Sequence, residues 1–100
     1  MAMTPEKRVK QTATKYLKGY GKDVYYFYPT TGGYGRSGVP VIIGCYKGMF
    51  FAIECKAGKN TTTKLQELEI DKVNNAGGAA WVVSEDNVDS IHTALASLIK

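Results

Sequence analysis

Glu54 and Lys56 are the two charges of the run Phe51-Ala52-Ile53-Glu54-Cys55-Lys56, which follows a second apolar run, Val41-Ile42-Ile43, across a short turn. Two residues apart, they share one face of a strand, at positions where a purely structural strand carries Val or Ile. Three other residues could work with them. Glu6 falls on the apolar stripe of the first helical segment, either as a favourable charge at a wet helix end or as a carboxylate aimed at a metal or a basic group. Gln66, in Thr63-x-x-Gln66, either closes a capping box or reaches toward Glu54 and Lys56. Arg36, with Tyr34 and Ser37 in a loop of four glycines, is either part of a flexible connector or a contact to a nucleic-acid backbone.

These residues need elements to position them. Thr4-Pro5-Glu6 reads as a helix start, and Val9, Ala13, Tyr16, Leu17 and Tyr20 carry the helix to about Tyr20, where Gly19 and Gly21 end it. A first strand covers 23–28 and stops at Pro29. Lys47-Gly48 then fits a two-residue hairpin turn, which pairs Tyr46 with Met49, Ile43 with Ala52 and Val41 with Glu54. Directly opposed β-carbons lie ~5 Å apart, so position 41, Glu54 and Lys56 form one cluster. Both faces of the hairpin are apolar, which predicts a sheet covered on both sides. A second helix is expected from about Thr63 to Ala76, with Leu65, Leu68, Val73 and Ala76 inward. Ala79–Val83 is a strand, and a last helix begins at Ser84-Glu85-Asp86-Asn87 with Val88, Ile91, Leu95 and Leu98 inward. The order helix, strand, hairpin, helix, strand, helix predicts an α/β fold, a mixed central sheet flanked by helices, in one domain over 1–100.

Composition narrows the function classes. No apolar run approaches the ~20 residues that span a bilayer, and the N-terminus is a charged helix rather than a secretory signal, so a soluble, intracellular (cytoplasmic) protein is expected. Cys45 and Cys55 sit in the apolar runs as small hydrophobes, and with His92 as the one histidine a structural zinc site is excluded. His92 itself reads as a surface residue. The loop has neither a P-loop ending nor a dinucleotide fingerprint. A net charge of +4 favours anionic partners only slightly.

Pro40-Val41 followed by Glu54-Cys55-Lys56 resembles the Pro-Asp…Glu-x-Lys signature of restriction-endonuclease-like nucleases. With Gly38-Val39-Pro40, Glu6 in the first helix and Gln66 in the helix after Glu-x-Lys, the chain is similar to the virus-type replication-repair nuclease (VRR-NUC) family from Thr4 to about Asn87. The resemblance implies a restriction-endonuclease-like core and a metal-dependent DNA endonuclease. Mg²⁺ or Mn²⁺ would be held by residue 41, Glu54 and the backbone carbonyl of Cys55, polarising the phosphate and acidifying a bound water. Lys56 would position that water or neutralise transition-state charge, while Glu6 and Gln66 would orient metal-bound water or ligands. It also implies a homodimer acting on branched DNA such as four-way junctions, and the stand-alone size suggests a phage or bacterial source. Phosphate contacts are expected from Arg36, Ser37, Lys47, Lys59 and Lys64.

Val41 departs from the pattern. Valine offers no oxygen ligand where the family has Asp, so cation binding should be weakened and the chain inactive or strongly impaired. Two other readings stand beside this one: a non-catalytic nucleic-acid-binding domain in which Glu54 and Lys56 are a structural charge couple, and an interaction protein with no DNA role.

Overall fold

In a computed structural model, residues 3–30 and 38–98 are described. Helix α1 spans Pro5–Lys18; the Thr4 side chain accepts the Lys7 amide at 3.2 Å, and Pro5 opens the first turn. The helix stops at Gly19, slightly short of the expected Tyr20, and the chain passes through a 3-10 turn before β1, Val24–Phe27.

Strands β2, Ile42–Tyr46, and β3, Met49–Cys55, form the expected hairpin, pairing Tyr46 with Met49, Ile43 with Ala52 and Ile42 with Ile53. Lys47 and Gly48 both take positive φ, 49° and 88°, the conformation that matches a tight turn to strand twist. Strand β1 pairs antiparallel with β2. After α2, Lys64–Asn75, strand β4, Ala79–Val83, returns parallel to β3, and α3, Ser90–Leu98, follows. The result is a mixed four-stranded sheet in the order β1-β2-β3-β4 with three helices.

Alternation along the strands divides the sheet. Ile42, Phe51, Ile53, Cys55 and Val83 turn to one face and pack with Val9, Ala13 and Leu17 of α1 and Ile91 and Leu95 of α3. Tyr20 donates to or accepts from His92 Nδ1 at 2.7 Å, so the exposed histidine ties α3 to the turn that follows α1. The other face lies under α2, where Gly78 sits against both Phe50 and Val73.

Three details differ from the sequence expectation. The inward side of α2 carries Gln66, Glu69, Ile70 and Val73, while Leu65, Leu68 and Ala76 face out. The Asn74 carboxamide sets this rotation by donating to Ala80 O (3.2 Å) and accepting the Ala80 amide (2.8 Å), which also satisfies the outer edge of β4. Helix α3 begins at Ser90 rather than at Ser84, because Asn87 Oδ1 accepts the Ser84 amide at 2.6 Å and holds the segment in turns. Its expected inward residues nevertheless are buried or half-buried. Finally, Val41 lies in a bend before β2 rather than in the ladder opposite Glu54. Pro40 has no amide proton with which to extend pairing to Cys55.

Candidate active site

The open end of the hairpin is where β2 has stopped and β3 continues. Glu54, at this end, is 2% exposed, and its Oε1 is buried without a hydrogen-bond partner. Oε2 lies 3.9 Å from Lys56 Nζ, a charge contact too long to be a hydrogen bond. Burial pushes the Glu54 carboxyl above its ordinary value; Lys56 opposes the shift, Glu6 adds to it, and the amides of Cys55 and Val41 pull it back in part. A buried, unsatisfied polar atom costs about 1–3 kcal/mol, a cost that a bound cation or donor would remove.

Between these charges, the Lys56 amide donates to Val83 O at 2.9 Å. In a trans peptide the Cys55 carbonyl points the opposite way, toward the side where Pro40 offers no donor. Burial and the Glu54 charge drive the Cys55 thiol up to about 12, so it stays protonated and unreactive; its main-chain oxygen is the group free for ligation.

A cavity of about 240 Å³ opens beside this point, lined by Thr4, Glu6, Lys7, Lys10, Val41 and Cys55. Helix α1 thereby delivers Glu6 to the hairpin, and Glu6 Oε2 accepts from Asn60 Nδ2 at 2.9 Å, which fixes its carboxylate. The Val41 side chain faces this cavity and packs against the core cluster. Among the described residues, no three His, Cys, Asp or Glu side chains converge as a metal site. The oxygen donors present, Glu54, Glu6 and the Cys55 carbonyl, suit a hard divalent cation in kind, and the Val41 side chain beside them offers none.

Gln66 closes a capping box: its amide donates to Thr63 Oγ1 (3.2 Å) and its Oε1 accepts the Thr63 amide (2.9 Å). Gly38 packs against this same turn. Its φ is +82°, and a β-carbon there would lie 2.5 Å from the Leu65 carbonyl, so only glycine fits. The Gly38-Val39-Pro40 segment is thus pressed on α2 just before it reaches Val41.

Of the cations expected to meet phosphate, Lys59 and Lys64 are exposed near the site's rim, in the loop after β3 and at the start of α2. Lys47 occupies the hairpin turn at the opposite end of β3, about 20 Å away at ~3.4 Å per residue. Arg36 and Ser37 lie outside the described residues. Sequence reasoning passed over Lys7 and Lys10, which line the cavity itself. The signal available was the density of cations in α1.

The site thus sits on a mixed sheet with an antiparallel hairpin bearing Glu-x-Lys, a parallel fourth strand and helices on both faces. The chain has the fold of VRR_NUC domains. One solved structure described as a "VRR_NUC domain" superimposes with a TM-score of 0.74 at 22% identity, covering 91% of this chain and 97% of the other. A second, a "VRR_NUC domain protein", gives 0.69 at 19% identity, covering 97% and 92%. No protein-family model matches the sequence, and no curated protein matches it.

Proposed function

We propose that the chain is a VRR-NUC nuclease, built to hydrolyse phosphodiester bonds in branched DNA with Mg²⁺ or Mn²⁺ and strongly impaired by Val41. The observation that carries this reading is the buried Glu54 carboxylate with an oxygen left unsatisfied beside Lys56. A protein interior tolerates such a group poorly unless it serves a ligand. A divalent cation, when bound, would supply phosphate polarisation and an acidified water. The chain's own groups have separate tasks. Glu54 and the Cys55 carbonyl present oxygens, Glu6 is held by Asn60 at the cavity rim, and the Lys56 ammonium offers charge to a phosphate oxygen as negative charge develops there.

Loss of one ligand worth ~3 kcal/mol at the transition state lowers the rate at least a hundredfold. The test is cleavage of a four-way DNA junction with Mg²⁺ and with Mn²⁺, wild type beside Val41→Asp. Equal activity in the two would refute the role given to position 41. Val41 also favours a second reading, a non-catalytic nucleic-acid-binding domain on the same fold. It predicts that Val41→Asp binds DNA and cleaves none.

A symmetric junction suits two active sites related by a two-fold axis, so the proposal includes a homodimer. The uncovered apolar side chains on the α2 face, Tyr25, Phe27 and Phe50 of the sheet with Leu65 and Leu68 of α2, support self-association there. A monomer mass by light scattering at micromolar concentration would count against it.

A further inference from the structure

Helix α1 holds five of the chain's thirteen cations, Lys7, Arg8, Lys10, Lys15 and Lys18, and one of its nine acids, Glu6. The rest of the sequence therefore balances at eight of each, and the whole net charge of +4 resides on this one helix. At 100° per residue, Lys7, Lys10, Gln11, Thr14 and Lys18 fall in one stripe beside the buried one. Two lysines outside α1 are paired with carboxylates, Lys56 with Glu54 and Lys72 with Glu69. Among the described residues, none of the four lysines of α1 has a carboxylate partner.

The stripe forms the floor of a groove. A hollow of about 340 Å³ is bounded by Lys7, Lys10, Gln11, Thr14, Lys18 and Tyr28, with Met3 at its edge. It shares Lys7 and Lys10 with the cavity beside Val41 and Cys55, so the two hollows adjoin along the helix. Tyr28 is fixed in its wall. Its hydroxyl lies 2.6 Å from Thr14 Oγ1, Lys10 Nζ sits 4.6 Å from the ring centroid, and the ring remains 45% exposed. A pinned aromatic ring among unpaired lysines suits a sugar-phosphate chain with a base or sugar against the ring.

We infer that α1 is the track for one DNA arm, with backbone phosphates lying on Lys7, Lys10 and Lys18 and the strand passing Tyr28 as it leaves the Glu54 site. This rests on the nuclease reading above and adds the path of the substrate. From Lys7 to Lys18 the helix rises about 16 Å, the length of roughly five base-pair steps. An arm on this track lies across the sheet from Lys72 of α2.

The experiment is fluorescence anisotropy of a labelled four-way junction over a salt series in EDTA, so that cleavage does not enter. It compares wild type, Lys7→Gln/Lys10→Gln/Lys18→Gln together, the single Lys18→Gln, and Lys72→Gln on α2, each checked for an unchanged melting temperature. Each phosphate contact adds about 0.9 to the slope of log affinity against log salt, so the triple variant should lose close to 3 and Lys18→Gln about 1. If the triple variant melts early, Lys18→Gln alone decides. Wild-type slopes in the α1 variants, or an equal loss in Lys72→Gln, overturn the track and leave the nuclease reading standing. Wild type that binds no junction at any salt overturns both.

Discussion

On the sheet face turned to α1 and α3, Ile42, Phe51, Ile53 and Val83 are fully buried. On the opposite face, Phe50 of β3 and Phe27 of β1 are about half exposed, and β3 buries a carboxylate with an oxygen unsatisfied. Residues one position apart on β3 thus differ in what surrounds them: Cys55 belongs to the apolar core, while Glu54, equally buried, carries an unsatisfied oxygen beside Lys56. The first face supplies stability by excluding water from large side chains. The second face carries groups that cost stability. A small domain can hold a strained charge pair if the covalently adjacent residues anchor it, and β3 provides that anchor.

The contrast can be broken at its weakest point first. Val41→Asp should raise junction cleavage with Mn²⁺ at least a hundredfold, about 3 kcal/mol in transition-state stabilisation, measured as a single-turnover rate. Next, the two phenylalanines that follow one another on β3 should differ. Phe51→Ala should destabilise by about 3–5 kcal/mol in urea unfolding, whereas half-exposed Phe50→Ala should cost about 1 kcal/mol or less. Equal losses would mean that both faces are core.

Acid titration sharpens the same comparison. Because burial raises the Glu54 value in the fold, the unfolded chain releases this proton first as pH rises, and the folded state binds more protons in that window. Glu54 thus weakens the fold as pH climbs from the ordinary carboxylate range through the raised value, and its effect is constant above it. The melting temperature of wild type relative to Glu54→Gln should accordingly fall across that window. A relative rise would show that the Lys56 contact outweighs burial. The smallest effect is expected outside: Leu65→Gln with Leu68→Gln should change stability by about 0.5 kcal/mol or less while reducing self-association in light scattering.

Much of the fold was legible because it is local. The Thr4 cap, the Lys47-Gly48 turn and the alternation that sets the hairpin register depend on residues close in sequence. The rotation of α2 was hidden, since the leucine stripe is strong in sequence and the Asn74 bonds to Ala80 that override it need the finished edge strand. The start of α3 was misplaced for the opposite reason: Ser84 and Asn87 resemble a helix cap and instead bond to each other.

At the site, the Glu54 and Lys56 anomaly was visible as two charges in an apolar run. Glu6 is held by Asn60, fifty-four positions away, a partnership that no spacing rule announces. Gln66 took the local alternative, the capping box. The α1 lysines were visible as composition, but their importance depends on the groove that places Lys7 and Lys10 beside Val41.

The most direct test of position 41 as the missing corner of a cation site is a Mn²⁺ titration read by melting temperature, for wild type, Val41→Asp, and Val41→Asp combined with Glu54→Gln. Specific binding to the folded state raises the melting temperature in step with ligand concentration. The account predicts little shift in wild type, a rise of several degrees in Val41→Asp, and loss of that rise when Glu54 is also replaced. A Val41→Asp protein that melts as wild type does at every Mn²⁺ concentration would contradict it.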